Sequence, residues 1–277
     1  MRFIGSARGL AVRLSRRALS AALIEHEQRW LPMLAPTLPL AAPTPVRIGR
    51  PGCGYPWSWS VVPWLPGQSA LASRPKDDAQ TAVALAGFLR APHQPAPVDA
   101  PHNPWRGVPL ARRDQALHEH LDRLQGSVDC HAVLAAWDRA RQTPPWKKPP
   151  CWIHGDLHPG NMLVEGGRFS AVIDFGDLAA GDPATDLSVV WVVLDPVDRA
   201  QFRQLACGST GWLDHDTWDR ARGWAIALGA VYAVISDDDP SMSALGRRTI
   251  AAALHDCVVL SESGSPHAES GRLTRRA

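Results

Sequence analysis

The sequence predicts an α+β fold in which most strands come first and most helices follow. Short apolar runs bounded by Gly and Pro dominate roughly the first 65 residues, a pattern typical of strands and turns. A second pair of apolar runs flanks a Gly-containing connection near residue 166. From residue 75 onward most segments are typical of helices. Strands and helices segregated along the chain in this way indicate the α+β class.

Each element can be placed in order along the chain. Strands are predicted over residues 1–5, 9–14, 46–48, 57–65, 151–153, 162–164 and 169–173. Helices are predicted over residues 16–34, 75–89, 111–125, 130–142, 184–194, 197–207, 215–235 and 242–261. Residues 91–109 are rich in Pro and His and predict an extended connection. The polar residues 263–277 predict a disordered tail.

The two strands around residue 166 form a predicted hairpin that brings polar residues together. Asn161 precedes the first strand and Asp174 follows the second, so both lie at the open end of the hairpin. Asp156 lies on the loop before the hairpin, where catalytic groups are often held by a rigid scaffold. We therefore expect these three side chains to share one site.

The spacing of these residues is typical of phosphoryl transfer. His154-Gly155-Asp156-Leu157 is followed by Asn161 and then by Asp174-Phe175-Gly176. Protein kinases carry His-x-Asp-Leu-x-x-x-Asn and Asp-Phe-Gly in the same order. The first Asp accepts the proton of the attacking hydroxyl, while the Asn and the second Asp hold Mg²⁺. The alternative is that all three are ordinary turn residues, which their common register disfavours.

On these motifs the chain resembles the aminoglycoside phosphotransferase family of small-molecule kinases, over about residues 1–262. The Gly of His154-Gly155-Asp156 and the segment Gly181-Asp182-Pro183-Ala184-Thr185-Asp186 carry the resemblance. It implies a protein-kinase-like fold with two lobes. A small β-rich N-lobe with the hinge would span residues 1–66, and a larger, mostly helical C-lobe would span residues 67–262.

The resemblance also implies roles for individual residues of the catalytic loop and metal site. Asp156 would be the catalytic base, and Asn161 and Asp174 would be Mg²⁺ ligands. Asp186 would be a structural acid that hydrogen-bonds the catalytic loop, which His154 would help to support. His158, Asp177 and Asp182 remain weaker candidates, because local hydrogen bonding or helix capping explains them as well.

The nucleotide would lie between the N-terminal strands and the hinge. Arg13 occupies the position of the kinase lysine that grips the α- and β-phosphates, and arginine can match phosphate oxygens bidentately. Its helix partner would be Glu27 or Glu25, with Glu27 favoured. Val62 and Trp64 would belong to the hinge that contacts the adenine. The alternatives are a solvated strand residue at position 13 and a plain edge strand that ends at Pro66-Gly67.

The acceptor is predicted to be a small molecule. Only residues 177–181 separate Asp-Phe-Gly from Asp182-Pro183, which is too short for the segment on which protein kinases seat a peptide. A hydroxyl of an aminoglycoside or another antibiotic, or of a metabolite such as an amino alcohol or a sugar, remains open. Acidic positions could line a pocket for a polycation or could be helix caps and turns; they are Asp195, Asp214, Asp216 and Asp237-Asp238-Asp239.

A second possibility is a nucleotide-binding pseudokinase. No Gly-x-Gly-x-x-Gly or Walker sequence occurs upstream of the hinge, so the N-lobe is predicted to be incomplete. A start codon assigned too far downstream would explain this, as would a shortened protein with weak activity. The intact set of Asp156, Asn161 and Asp174 favours an enzyme that uses ATP or GTP with Mg²⁺.

Composition excludes several classes of protein. The formal charge of +2 gives no nucleic-acid footprint, and no apolar run is long enough for a membrane span. Five scattered cysteines are typical of reduced thiols in a cytoplasmic protein. The first 24 residues contain several Arg and Ser and no acid, a pattern that also occurs in organellar transit peptides. The oligomeric state stays open.

Overall fold

The structure is a computed structural model that describes residues 2–5, 9–76, 78–208, 211–235 and 239–262. The predicted tail at residues 263–277 lies outside the described residues. The architecture is the α+β one that the sequence predicts, with a sheet near the beginning of the chain and a mostly helical remainder.

The first part of the chain forms an antiparallel sheet with one helix. The four strands pair in the order β1-β2-β4-β3. Their bounds are β1 Arg2–Gly5, β2 Leu10–Leu14, β3 Arg47–Gly49 and β4 Trp59–Pro63. Helix α1, Ala21–Leu34, buries Ile24, Glu27, Trp30 and Leu31. It starts later than predicted, because residues 18–20 form a separate 3-10 turn.

The predicted hairpin is present and belongs to the larger of two small sheets. Strands β7, Met162–Glu165, and β8, Arg168–Val172, pair antiparallel, and β5, Gln68–Ser69, adds to β7. Strand β6, Cys151–Ile153, pairs with β9, Ala179–Gly181. Strands β5 and β9 were not predicted, because strands of two and three residues are too short to show an alternating pattern.

The rest of the described chain is mostly helical. The bounds are α2 Asp78–Arg90, α3 Asp114–Arg123, α4 Cys130–Gln142, α5 Ala184–Leu187, α6 Val189–Val193, α7 Pro196–Cys207, α8 His215–Ile235 and α9 Pro240–Glu262. Two predictions need correction. The helix predicted over residues 184–194 is two short helices joined at Ser188, and Pro75 precedes α2 instead of opening it.

The core is built around α8 and its neighbours. Trp137 of α4 and Trp224 of α8 are among the largest fully buried side chains. Trp191 and Trp218 are also buried, and their rings lie 4.7 Å apart. Packing in the core therefore accounts for Trp191, Trp218 and Trp224. Within the described part of the chain, none of the helices combines the length and apolar character that a bilayer span requires.

Candidate active site

A buried carboxylate anchors the loop that carries Asp156. Asp186 accepts hydrogen bonds from the backbone N–H of His154 at 2.7 Å and of Gly155 at 2.8 Å, one on each carboxylate oxygen. The ring of His154 lies 3.1 Å from the carbonyl oxygen of Ile173, and its other nitrogen accepts from the N–H of Asp156. These bonds tie the loop to both α5 and the end of β8.

The conformation of the loop depends on a glycine. Gly155 has a φ of +85°, and a Cβ there would lie 2.5 Å from the carbonyl oxygen of Asp177. A side chain at this position would meet fixed backbone, so the loop and the following segment can approach each other only through glycine.

Asp156 is surrounded by groups that favour its charged form. Arg106 Nη2 lies 3.5 Å from Asp156 Oδ1, and His158 Nε2 lies 3.7 Å from Oδ2. Burial acts to raise the pKa of Asp156, but hydrogen bonding and charge at His158, Arg106 and His154 outweigh it and lower the pKa to about 2. The carboxylate is therefore ionised and ready to accept a proton or a hydrogen bond at neutral pH.

Asn161 and Asp174 lie at adjacent ends of the hairpin, as expected from the sequence. The N–H of Ile173 donates to the carbonyl oxygen of Asn161 at 2.8 Å. Asn161 Nδ2 donates to the backbone carbonyl of Asp156 at 2.9 Å, which leaves the amide oxygen as the acceptor of this side chain. Asp174 adopts the left-handed conformation, with a φ of 62°, which is uncommon for a residue with a Cβ and often marks a functional site.

Arg13 joins the metal-site carboxylate to helix α1. Its Nη2 lies 2.6 Å from Asp174 Oδ1, and its Nε lies 2.6 Å from Glu27 Oε2. Arg13 and Glu27 are both fully buried. The structure thus selects Glu27 over Glu25, which is exposed and accepts a hydrogen bond from Ser58. Burial raises the pKa of Glu27 to about 7, an effect larger than the opposing one of Arg13.

Two cavities adjoin these residues. The first, of about 350 Å³, is lined by Asp156, Asp174, Asp177 and the guanidinium-bearing Arg16 and Arg17. The second, of about 110 Å³, has Trp64 and Leu65 in its lining together with Ala11, Leu163 and Ile173. Val62, which was grouped with Trp64, is buried against Ala11 in the sheet and does not line this cavity.

Several residues near the site carried no recognisable signal in the sequence. Arg106 and Asn103 lie in the connection at residues 91–109, which packs onto the catalytic loop. Arg106 Nε donates to the carbonyl of Gly155 at 2.7 Å, and Asn103 Nδ2 donates to Asp177 Oδ1 at 2.7 Å. Burial and the nearby charge of Asp156 raise the pKa of Asp177. A lone Asn or Arg in a Pro-rich stretch cannot be assigned to a site without three-dimensional contacts.

The residues present suit a cation that arrives with a nucleotide. Among the described residues, His, Cys, Asp and Glu form no group of three or more that could hold a metal. Mg²⁺ is commonly bound by one or two protein oxygen ligands together with substrate phosphates. The carboxylate of Asp174 and the amide oxygen of Asn161 are ligands of this kind, and Asp174 Oδ1 is shared with Arg13.

The acidic residues proposed for a polycation pocket are mostly helix caps. Asp195 accepts from the N–H of Val197 and Asp198, and Asp214 accepts from the N–H of Thr217. Asp239 likewise accepts from two N–H groups at the start of α9. Asp216 lies in the first turn of α8, whereas Asp237 and Asp238 lie outside the described residues.

The fold places the chain in the kinase-like α+β class. The family model described as APH, phosphotransferase enzyme family, matches residues 2–224. That match covers well over half of the chain, so the chain belongs to this family.

The individual proteins that match share modest sequence identity with this chain. An aminoglycoside 3'-phosphotransferase from Streptomyces fradiae is 30% identical over 152 residues, which cover 52% of this chain and 56% of that protein. One from Escherichia coli is 25% identical over 140 residues, which cover 48% and 52% of the two chains. The chain thus spans about half the length of the curated relatives that it matches.

Solved structures share the fold over nearly the whole chain. The GDP and kanamycin complex of APH(2'')-IIIa superimposes with a TM-score of 0.65 at 18% identity, covering 92% of this chain and 93% of that one. A macrolide 2'-phosphotransferase type I has a TM-score of 0.58 at 21% identity, covering 87% and 83%. At these identities the similarity shows the fold alone.

Proposed function

We propose that this protein transfers the γ-phosphoryl group of ATP or GTP to a hydroxyl of a small molecule. One observation carries the proposal: the carboxylates of Asp156 and Asp174, which are the base and the metal ligand of the motif, line the same cavity of about 350 Å³. A carboxylate that accepts a proton beside one that holds a cation is the pair that phosphoryl transfer requires.

The reaction follows from the position of these groups. The acceptor hydroxyl binds beside Asp156, which orients it and takes its proton as the new O–P bond forms. The bond between the γ-phosphorus and the β–γ bridging oxygen breaks, so the products are a phosphomonoester and ADP or GDP. Proton transfer of this kind accelerates reactions about 10²- to 10⁴-fold.

The remaining residues hold the donor. Arg13, whose side chain is buried between Glu27 and Asp174, is the proposed partner of the α- and β-phosphates. Arg16 and Arg17 add positive charge to the wall of the cavity that Asp156 and Asp174 line. Asn161 and Asp174 would hold Mg²⁺, which neutralises charge on the phosphate oxygens when bound. Trp64 and the apolar residues around it would contact the base.

The loop supports and the two lobes also have proposed roles. Asp186 and His154 would keep the loop of Asp156 in place through the hydrogen bonds described above. We assign residues 1–66 to the N-lobe and hinge and residues 67–262 to the C-lobe, and we place the protein in the cytoplasm. The complete set of Asp156, Asn161 and Asp174 supports an enzyme over a non-catalytic nucleotide-binding protein.

Release of ADP or GDP in a coupled assay tests this function. The purified protein should be supplied with Mg-ATP or Mg-GTP and with kanamycin, a macrolide, an amino alcohol or a sugar. We expect acceptor-dependent nucleotide consumption that EDTA abolishes, and Mg-ATP binding that Asp174→Ala weakens at least tenfold. Absence of both Mg-ATP and Mg-GTP binding in calorimetry would contradict the proposal.

A further inference from the structure

The short segment between β2 and α1 forms part of the wall of the cavity that contains the catalytic carboxylates. We call residues 15–20 the arginine segment. Its residues Arg16 and Arg17 line the cavity of about 350 Å³ that Asp156 and Asp174 also line. Both arginines are exposed, so their guanidinium groups are open to a ligand that enters this cavity from solvent.

Hydrogen bonds hold the backbone of the arginine segment in place. Ser15 Oγ donates to the carbonyl oxygen of Arg17 at 3.0 Å, and the N–H of Ser20 donates to the same oxygen at 3.0 Å. From outside the segment, Tyr55 Oη donates to the carbonyl oxygen of Ser15 at 2.9 Å. The two arginine side chains therefore extend from a backbone whose position is fixed at both of its turns.

The environment of Arg16 and Arg17 differs from that of Arg13. Arg13 is fully buried, and its guanidinium lies 2.6 Å from Glu27 Oε2 and 2.6 Å from Asp174 Oδ1. Its charge is thus largely balanced by carboxylates of the protein itself. The exposed arginines at the cavity wall are better placed to contact an anion that comes and goes.

The carboxylates of the cavity have partners outside the arginine segment. Asp156 Oδ1 lies 3.5 Å from Arg106 Nη2, and Asp177 Oδ1 accepts a hydrogen bond from Asn103 Nδ2 at 2.7 Å. The third carboxylate, that of Asp174, pairs with the buried arginine described above. Positive charge at the arginine segment is therefore additional to the charge that holds these three side chains in position.

From this arrangement we propose that Arg16 and Arg17 bind the γ-phosphate of the donor and make the site selective for a nucleoside triphosphate over a diphosphate. The inference rests on the proposed function, whose donor recognition it specifies. In that function the acceptor oxygen beside Asp156 attacks the γ-phosphorus, so the γ-phosphate lies in the cavity that both arginines line. A guanidinium forms bidentate, charge-assisted hydrogen bonds to phosphate oxygens.

This role has a consequence for the order of events at the site. The arginines contact the group that is transferred, and the diphosphate that remains after transfer has no γ-phosphate for them to bind. The nucleoside diphosphate therefore loses these contacts when the bond between the γ-phosphorus and the bridging oxygen breaks. The inference adds no covalent step to the reaction proposed above.

Charge variants of the arginine segment and paired nucleotides test the inference. The variants are Arg16→Gln, Arg17→Gln, the double Gln variant, the double Lys variant and the control Arg50→Gln. Arg50 is a matched control because it is exposed and does not line this cavity. Calorimetry on the full chain measures the Kd of Mg-ATP and of Mg-ADP for each protein, and of Mg-GTP and Mg-GDP in parallel.

We expect the double Gln variant to raise the Kd of the triphosphate about tenfold or more, because two hydrogen-bonded ion pairs are lost. The Kd of the diphosphate should change less than about threefold, and the control should change neither value. The double Lys variant keeps both charges and should recover part of the affinity for the triphosphate. Added NaCl should weaken triphosphate binding more in the wild type than in the double Gln variant.

Two results would overturn the inference. One is a double Gln variant that binds the triphosphate as tightly as the wild type does; the other is an equal loss for triphosphate and diphosphate. If the double variant lacks cooperative thermal unfolding, the two single variants supply the same comparison. Either result, found in a protein that still transfers phosphate, leaves the proposed function intact. A wild type that binds none of the four nucleotides contradicts the proposed function and this inference with it.

Discussion

Arg13 and Asp174 form an ion pair of 2.6 Å although 161 residues separate them in the chain. Because the same guanidinium also contacts Glu27, it joins β2, α1 and the end of the catalytic hairpin. In the proposed function this arginine takes the role of the lysine that kinases carry. Its planar fork can contact two carboxylates at once, which a single ammonium does less well.

Replacing Arg13 should destabilise the protein and weaken nucleotide binding together. Arg13→Ala leaves Glu27 buried without its partner, for which we expect a loss of about 3–5 kcal/mol in the free energy of unfolding. Arg13→Lys keeps the charge, so its free energy of unfolding should lie between those of the wild type and Arg13→Ala. Urea denaturation measures the loss, and Arg50→Ala, an exposed arginine of the same region, serves as the control. Equal stability of Arg13→Ala and the control would contradict this description of the pair.

The pKa of Glu27 predicts how stability depends on pH. Because burial raises this pKa from 4.5 to about 7, the folded state binds more protons than the unfolded state over that interval. The stabilising contribution is therefore complete below about pH 4.5 and is lost as the pH rises through 7. The free energy of unfolding of the wild type minus that of Glu27→Gln should fall by an amount on the order of 3 kcal/mol between pH 4.5 and 8. A difference that stays constant over this range would show that Glu27 is ionised throughout.

Replacing Asp186 by Asn should destabilise the protein far more than replacing Asp195 by Asn. Both carboxylates accept two backbone N–H bonds, but Asp186 is buried and Asp195 is exposed. In Asp186→Asn the amide nitrogen must face one of the two N–H donors, so we expect a loss of about 2–4 kcal/mol. Asp195→Asn should change stability by less than about 0.5 kcal/mol, since Asn caps helices as well as Asp does. Similar losses in chemical denaturation would argue against an anchoring role for Asp186.

Two glycines with similar backbone angles should differ in their effect on activity. Gly155 has a φ of +85° and Gly126 a φ of +79°, but a Cβ at Gly126 meets no atom within 4 Å. Gly126→Ala should cost about 1–2 kcal/mol of stability and leave turnover unchanged. Gly155→Ala should also displace the catalytic loop and lower kcat at least 100-fold, an effect comparable to a 1 Å misplacement of reacting groups. Steady-state kinetics at a temperature where both variants are folded gives the kcat of each for comparison with the wild type.

The sequence predicted the parts of the site that depend on local spacing. The hairpin places Asn161 and Asp174 together whatever the rest of the chain does, so their proximity follows from strand periodicity and one turn. Glu27 was favoured over Glu25 as the partner of Arg13, and the structure pairs Arg13 with Glu27. The α+β class and the family were likewise correctly predicted.

Other parts could not be predicted because they depend on contacts between distant segments. Arg106 and Asn103 reach the catalytic loop from a connection without regular structure, and no pattern marks such residues. The side chain of Val62 does not line the cavity with Trp64, and a strand assignment without its register cannot show which side chains face a cavity.

We propose that Asp156 acts on the acceptor hydroxyl and not on the nucleotide. Asp156→Asn retains the size of the side chain but removes its ability to accept a proton. It should lower acceptor-dependent ADP release by about 10²- to 10⁴-fold, with the Kd of Mg-ATP in calorimetry changed less than threefold. Normal turnover in this variant, or a loss of turnover explained entirely by weaker nucleotide binding, would contradict the account.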